Sequence, residues 1–346
     1  MSRIRVLVVE DSMVFRTLLV NNLNKDPDIE VVATAGDPYE ARDAILEYKP
    51  DVMTLDIELP RMNGIEFLRK LMPQYPLPVI VISSLSEKVF DALNAGAVDF
   101  VAKPQTTDRQ QLESFIRNEL PAKVKVAAVA QLKNLRALAP EPHLSMDSSL
   151  KKMVVAIGAS TGGTEAIAAV IKDFRPDIPG VVIVQHMPPG FTEMYANRLD
   201  AKSQVRVKEA KTGDIVRPGQ VLIAPGGDEQ MRIVNVNGEY QIICKKEPKV
   251  NGHCPSVDVL FDSVANVAGK NAIGIILTGM GGDGAKGLLA MRQAGAQTIG
   301  QDPSTCVVYG MPKVAYEMGA VMYQDKLPDI AKRTYTILHK MKGEHS

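Results

Sequence analysis

Three residue types able to perform acyl transfer each follow a different strand-like run in the second half of this 346-residue sequence. The run at 153–157 leads into Gly158-Ala159-Ser160-Thr161-Gly162-Gly163, and a helical pattern follows. Gly-x-Ser-x-Gly between a strand and a helix makes a tight turn that pushes the hydroxyl out at the edge of the sheet. The helix start adds unpaired N–H groups and a positive dipole, which suit a developing oxyanion. A serine hydroxyl needs a base to become a good nucleophile. Of the histidines, His143 lies in a Pro-containing stretch, and His339 and His345 lie near the C-terminus. His186 directly follows the apolar run 181–185 and so shares the edge with Ser160, whereas His253 sits in the irregular Asn251-Gly252-His253-Cys254-Pro255. His186 is therefore the favoured base. A third run, 272–278, ends in Thr278-Gly279-Met280-Gly281-Gly282-Asp283-Gly284, which brings Asp283 to the same edge. An acid there can hold the imidazole tautomer and stabilise the imidazolium.

A second constellation occupies the first half. Glu10 and Asp11 follow the run at 4–9, Asp56 ends a third strand, Ser83 a fourth, and Lys103 follows a fifth, just before Pro104. In a doubly wound sheet the crevice lies beyond the carboxyl ends of the strands, so these groups converge. Three anions at one point repel. A hard divalent cation with oxygen ligands, with Mg²⁺ the natural choice, removes that repulsion. A carboxylate, a metal, a lysine and a hydroxyl together can accept and hold a phosphoryl group.

The elements that must position these residues alternate. Strand patterns at 4–9, 29–34, 51–55, 78–82 and 98–101 interleave with helical patterns at 12–24, 38–47, 64–71, 86–94 and 108–119. That alternation specifies an α/β class: an N-terminal doubly wound, five-stranded, flavodoxin-like domain over about 1–120. Residues 121–150 read as a linker, with a loose helix over 122–138 and then Ala139-Pro140-Glu141-Pro142 and Ser145-Met146-Asp147-Ser148-Ser149. A second doubly wound α/β domain is expected over 151–346, with strands at 153–157, 181–185, 272–278, 296–300 and near 320–323, and a β-rich insertion at roughly 205–244.

Lys plus Arg and Asp plus Glu both number 40. This balance argues against large electrostatic binding to nucleic acid or to a membrane surface. No apolar run is long enough to span a bilayer. Cys244, Cys254 and Cys306 have neither paired nor metal-ligand spacing, and Met1-Ser2-Arg3 carries no secretory pattern, so the expectation is a reducing, cytoplasmic setting. Nothing points to an obligate oligomer, and a monomer is expected. Two other classes compete. Gly279-x-Gly281-x-x-Gly284 after a strand, with Asp302 further on, meets a dinucleotide-binding pattern, although an adjacent Asp283 would repel a pyrophosphate. A DNA-binding output domain would be short and basic, and this one is neither.

The motifs carry two resemblances. Val9-Glu10-Asp11-Ser12, Leu55-Asp56 through Asn63-Gly64, Ile82-Ser83-Ser84 and Phe100-Val101-Ala102-Lys103-Pro104 resemble a response-regulator receiver domain. The resemblance implies that Asp56 is the phosphoacceptor, that Glu10, Asp11 and Asp56 organise Mg²⁺, and that Ser83 and Lys103 contact the phosphoryl group. It puts Phe100 at the aromatic switch position, where a plain core phenylalanine would read the same way. Ala156-Ile157-Gly158-Ala159-Ser160-Thr161-Gly162-Gly163, Gln185-His186-Met187-Pro188-Pro189-Gly190-Phe191, Pro255-Ser256-Val257-Asp258-Val259-Leu260-Phe261 and Ile276 through Ala285 resemble the chemotaxis protein-glutamate methylesterases. That resemblance implies a phosphorylation-regulated hydrolase that removes γ-glutamyl methyl esters from methyl-accepting chemoreceptors and deamidates receptor glutamines, with a histidine kinase as phosphodonor. Ser160, His186 and Asp283 fall on the family's catalytic positions. Thr161 and Met280 fall beside them, Thr161 to position the imidazole and Met280 to lend a backbone donor to the oxyanion. The joining of receiver to hydrolase leads to the expectation that the receiver docks near the catalytic edge and that phosphorylation shifts this equilibrium.

Overall fold

Val6, Leu7, Val8 and Val9 are sealed from solvent on both sides, as a strand inside a helix-covered parallel sheet must be. The computed structural model describes residues 3–84, 88–103, 117, 119–130 and 152–343, and the chain divides into two units, Met1–Lys133 and Asn134–Ser346. The expected helix at 108–119 and the stretch 139–149 fall almost wholly outside the described residues.

In the first unit, β1 (Ile4–Val9), β2 (Ile29–Ala35), β3 (Val52–Asp56), β4 (Val79–Ser83) and β5 (Asp99–Ala102) form a parallel sheet in the order β2-β1-β3-β4-β5. The order reverses between β1 and β3, which opens the ligand crevice at their carboxyl ends. Ser12 caps the helix Met13–Leu23 by accepting from Phe15 N–H at 3.4 Å, and Asn63 caps Gly64–Leu71 by accepting from Ile65 N–H at 2.8 Å. Both caps lie beside the acidic cluster, so local helix starts and the site share the same loops. The structure departs from the expected boundary at 120. A helix at Leu120–Ala128 buries Leu120, Val124 and Ala127 and packs on β3, β4 and β5. Its apolar residues recur at helical spacing on one face, which ties the start of the expected linker to the first unit.

In the second unit, β6 (Val154–Ala159), β7 (Gly180–Gln185), β8 (Arg206–Glu209), β9 (Gln220–Ile223), β12 (Ala272–Ile276), β13 (Gln297–Gln301) and β14 (Tyr323–Asp325) form a parallel sheet in the order β14-β13-β12-β6-β7-β9-β8. Between β9 and β12, β10 (Glu229–Val236) and β11 (Glu239–Lys246) make an antiparallel hairpin. Asn237 and Gly238 at its turn have φ of 53° and 87°, the left-handed pair that a two-residue hairpin favours. The β-rich region thus divides: β8 and β9 extend the main sheet, and the hairpin alone stands apart. Every residue of β6 and β7 is buried, and each full burial of a valine or isoleucine is worth ~1.5–3 kcal/mol. The chain fills one side of β6 first and then crosses to the other, so the switch point lies where β6, β7 and β12 end.

Candidate active site

Neighbouring strand ends assemble the candidate nucleophile and base. Ala159 on β6 pairs with Gln185 on β7, and His186 N–H donates to the Ala159 carbonyl at 3.2 Å. Ser160 and His186 are the next residues along two strands that run ~4.8 Å apart. Ser160 N–H donates to the Thr278 carbonyl at 3.0 Å, so the turn is tied to the end of β12 as well. The buried Thr278 hydroxyl donates to the Thr161 carbonyl at 3.0 Å and holds the next residue of the turn. Gly162 has φ of 75°, which bends the chain from strand into helix where a side chain would be strained.

Asp283 follows β12 and is 2% exposed. Its Oδ2 accepts from His186 Nε2 at 2.8 Å and from Val257 N–H at 2.7 Å. Its Oδ1 accepts from Asn251 Nδ2 at 2.8 Å, Ser256 Oγ at 2.7 Å and Asp258 N–H at 3.3 Å. Two of these donors are the first amides of the helix Val257–Ala268, whose positive end also favours the anion. Burial alone would raise the Asp283 pKa. The hydrogen bonds from His186, Asn251 and Ser256 outweigh it and hold the carboxyl well below the usual carboxylate range. Asp283 is therefore ionised and can only accept, which puts a proton on His186 Nε2. The other ring nitrogen, Nδ1, is buried with no hydrogen-bond partner among the described residues.

His253, which the sequence disfavours as the base, lies flat on the His186 ring, with centroids 3.6 Å apart and planes within 7°. Asn251 and Ser256 went unnoticed as site residues as well. Asn251 Nδ2 also donates to Asp258 Oδ2 at 2.7 Å and so stands between two acids. All three sit in an irregular segment without periodicity. Its only sequence signal is a cluster of turn-forming and polar residues just ahead of a helix. A cavity of about 250 Å³ opens here, lined by Asn251, His253, Asp258, Asp283 and Lys286 among others. Ser160 is not among its lining residues. Met280 is 49% exposed, and Thr161 is buried in the turn.

The glycine loop has a packing explanation. A Cβ on Gly279 would lie 2.7 Å from Ser160 Cβ and 2.3 Å from Met311 Sδ. The room that a pyrophosphate would need at that glycine is occupied by protein, which counts against the dinucleotide reading.

In the first unit, carboxylate oxygens of Glu10, Asp11 and Asp56 all lie within 4.8 Å of one another. Burial and the nearby Asp56 push the Glu10 pKa up to about 7, against the pull of Lys103. Lys103 Nζ reaches Asp56 Oδ2 at 2.5 Å and Glu10 Oε2 at 2.9 Å. Burial works against the ammonium, but those two carboxylates raise its pKa above the ordinary lysine value. Three carboxylates crowded this closely, with oxygen donors in reach of one point, fit a hard divalent cation. Ser83 is buried at the end of β4, and its carbonyl accepts from Lys103 N–H at 2.6 Å. Phe100 on β5 is buried edge-to-face against Phe90, 6.5 Å between centroids, and its carbonyl accepts from Lys123 Nζ at 2.7 Å.

Residues 155–334 match the family described as CheB methylesterase. The chain belongs to the CheB methylesterase family. Residues 6–117 match the response regulator receiver domain, so this CheB-family chain carries a receiver ahead of its catalytic unit. A Syntrophomonas wolfei protein named protein-glutamate methylesterase/protein-glutamine glutaminase 2 is 58% identical over 98% of this chain and 99% of its own length. A Syntrophotalea carbinolica protein named protein-glutamate methylesterase/protein-glutamine glutaminase is 52% identical over 97% of this chain and 98% of its own. The crystal structure of the Thermotoga maritima CheB methylesterase catalytic domain matches 53% of this chain and 96% of that one, at 40% identity and a TM-score of 0.51. No helix among the described residues is long and apolar enough to cross a membrane.

Proposed function

We propose that this CheB-family chain is a phosphorylation-regulated serine hydrolase that demethylates γ-glutamyl methyl esters, and deamidates glutamines, on methyl-accepting chemoreceptors in chemotaxis. The hydrolase role goes to residues 151–346 and the receiver role to the first unit. The observation that carries the assignment is the division of labour on one imidazole. His186 gives Nε2 to a buried, ionised Asp283 and keeps Nδ1 without a partner among the described residues, on the strand end next to Ser160.

His186 Nδ1 takes the proton from Ser160 Oγ, and the oxygen attacks the ester carbonyl. Asp283 stabilises the imidazolium across the Nε2–H bond, as the acid does in other Ser-His-Asp sites. Amides at the start of the helix Gly163–Lys172, with the Met280 backbone, face the developing oxyanion; Thr161 holds the turn. The intermediate collapses, methanol leaves with the proton from Nδ1, and Ser160 carries the acyl group. Water then gives a proton to Nδ1 and its oxygen to the carbonyl, which frees the glutamate and restores Ser160. With a glutamine substrate, ammonia leaves in place of methanol.

Asp56 is the phosphoacceptor in this reading, supplied by a histidine kinase, with Ser83 and Lys103 on the phosphoryl oxygens and Phe100 as the switch residue. Glu10, Asp11 and Asp56 would hold Mg²⁺, which when bound neutralises the acidic cluster and offsets charge on the phosphoryl oxygens. A cytoplasmic monomer is the setting that suits these partners.

The test is methanol release from methylated receptor. Ser160→Ala should lower turnover by roughly 10⁴-fold or more. A variant with near-normal turnover would remove Ser160 from the mechanism.

A further inference from the structure

Gln185 ends β7 and is 3% exposed, and its carboxamide lies between the two functional turns. Its Nε2 donates to the Ser160 carbonyl at 2.9 Å and to the His186 carbonyl at 3.1 Å. We propose that Gln185 is a positioning residue, a clamp that sets the spacing between the nucleophile's turn and the base's turn. The proposal rests on the reading of Ser160 and His186 as nucleophile and base.

The geometry explains why a clamp is placed here. The backbone ladder between β6 and β7 runs to Ala159 opposite Gln185, with His186 N–H reaching the Ala159 carbonyl at 3.2 Å. The two working residues are the next ones along, where the strands have ended, and the amide takes over from the ladder. A primary amide carries two N–H donors on one nitrogen, so a single group can hold two carbonyls at a fixed separation. The Ser160 carbonyl already accepts from Gly163 N–H at 2.7 Å, so the amide is not needed to satisfy it. What the amide adds is the tie from that turn to His186.

The other half of the amide points the same way. Among the described residues Gln185 Oε1 is buried without a hydrogen-bond partner, a feature that destabilises a fold. It lies over Gly163, where an added Cβ would come within 2.1 Å of it. An orphaned acceptor next to a working site is better explained by a positional role than by stability. No other side chain of this length does the same work. Glutamate would set an anion against two carbonyl oxygens, and methionine fills the space without a donor.

The test compares full-length wild type, Gln185→Met, Gln185→Glu and Ser160→Ala. Folded active sites are counted by stoichiometric labelling with a fluorophosphonate, and methanol release from methylated receptor is expressed per labelled site, or per mole of folded protein for Ser160→Ala, which has no serine there to label. Misplacement of reacting groups by about 1 Å can cost ~10²-fold, so Gln185→Met should lower kcat per site by roughly 10–100-fold with KM nearly unchanged. A packing role alone would reduce the number of labelled sites and leave kcat per site intact. Gln185→Glu should regain turnover relative to Gln185→Met as the pH falls, because the protonated acid recovers one donor. A Gln185→Met kcat per site within about twofold of wild type overturns the clamp. If Gln185→Met yields no labelled enzyme, a pH-independent deficit in Gln185→Glu overturns it instead. Ser160→Ala separates the two ideas: turnover retained there refutes the nucleophile, while an inactive Ser160→Ala beside a fully active Gln185→Met refutes only the clamp.

Discussion

His253 lies face to face with His186, ring centroids 3.6 Å apart and planes within 7°. Burial lowers the His253 pKa to about 4, with like-charge repulsion from His186 and Lys249 outweighing the attraction of Asp283. At neutral pH His253 is therefore uncharged. In the proposed mechanism the imidazolium on His186 therefore meets an uncharged ring rather than a second cation.

The stacked pair makes stability depend on pH. Unfolded, His253 titrates near 6.5, and folded near 4. Between those values the unfolded chain binds more protons, so stability that is complete above pH 6.5 is lost as the pH falls toward 4. His253→Phe keeps a flat ring and removes the titration. Urea midpoints at neutral and mildly acidic pH should therefore fall less for the variant than for wild type. Equal falls would show that His253 is not held neutral by the fold.

Asp283→Asn retains the shape of the acid but loses its charge and sets an amide N–H against one of the two donor sets, His186 and Val257 or Asn251, Ser256 and Asp258. Loss of the orienting acid in a Ser-His-Asp site costs ~10⁴ in turnover, and a drop of ~10³–10⁴ is expected here. The measurement is methanol release, with circular dichroism to confirm the fold. A drop of less than about tenfold would mean that His186 is oriented by something other than this carboxylate.

Gly279→Ala places a methyl group 2.7 Å from Ser160 Cβ and 2.3 Å from Met311 Sδ. Met311 is a flexible side chain and can give way, but the Ser160 Cβ cannot move without shifting its hydroxyl. Overpacking of this kind costs ~1–3 kcal/mol of stability. Fluorophosphonate labelling of Ser160 should slow by more than the loss of folded protein accounts for. An unchanged labelling rate would place the backbone of the 279–284 loop further from the serine than the structure does.

In the receiver, a small-molecule phosphodonor with Mg²⁺ should label wild type and fail to label Asp56→Asn. Chelation with EDTA should abolish labelling of wild type, because the three carboxylates repel without a cation. The same donor should raise methanol release in wild type and not in Asp56→Asn. Phosphorylation of Asp56→Asn, read by phosphate-affinity electrophoresis, would move the acceptor elsewhere.

Much of the architecture was legible because parallel strands buried on both faces write themselves as short β-branched runs. The runs beginning at Ile4, Met153 and Ala272 each announced a strand, and the residue types just beyond them announced the candidate sites. The helix Leu120–Ala128 was harder to place. Its amphipathic spacing shows that it has an apolar face, but not that the face closes on β3, β4 and β5.

By itself, then, the sequence determined which chemistries were present and at which strand ends: the serine, imidazole and acid of one sheet, and the acid cluster, hydroxyl and lysine of the other. Only the tertiary structure decided how the imidazole is shared, with Nε2 on Asp283 and Nδ1 left over. It also decided that Asn251, Ser256 and the start of the helix Val257–Ala268 cradle the acid, that His253 covers the base, and that Gln185 spans the two turns. The physical reason is that periodicity records which face of an element is buried. Contacts between irregular segments distant along the chain leave no period, and they exist only once the sheet has set the strand ends side by side.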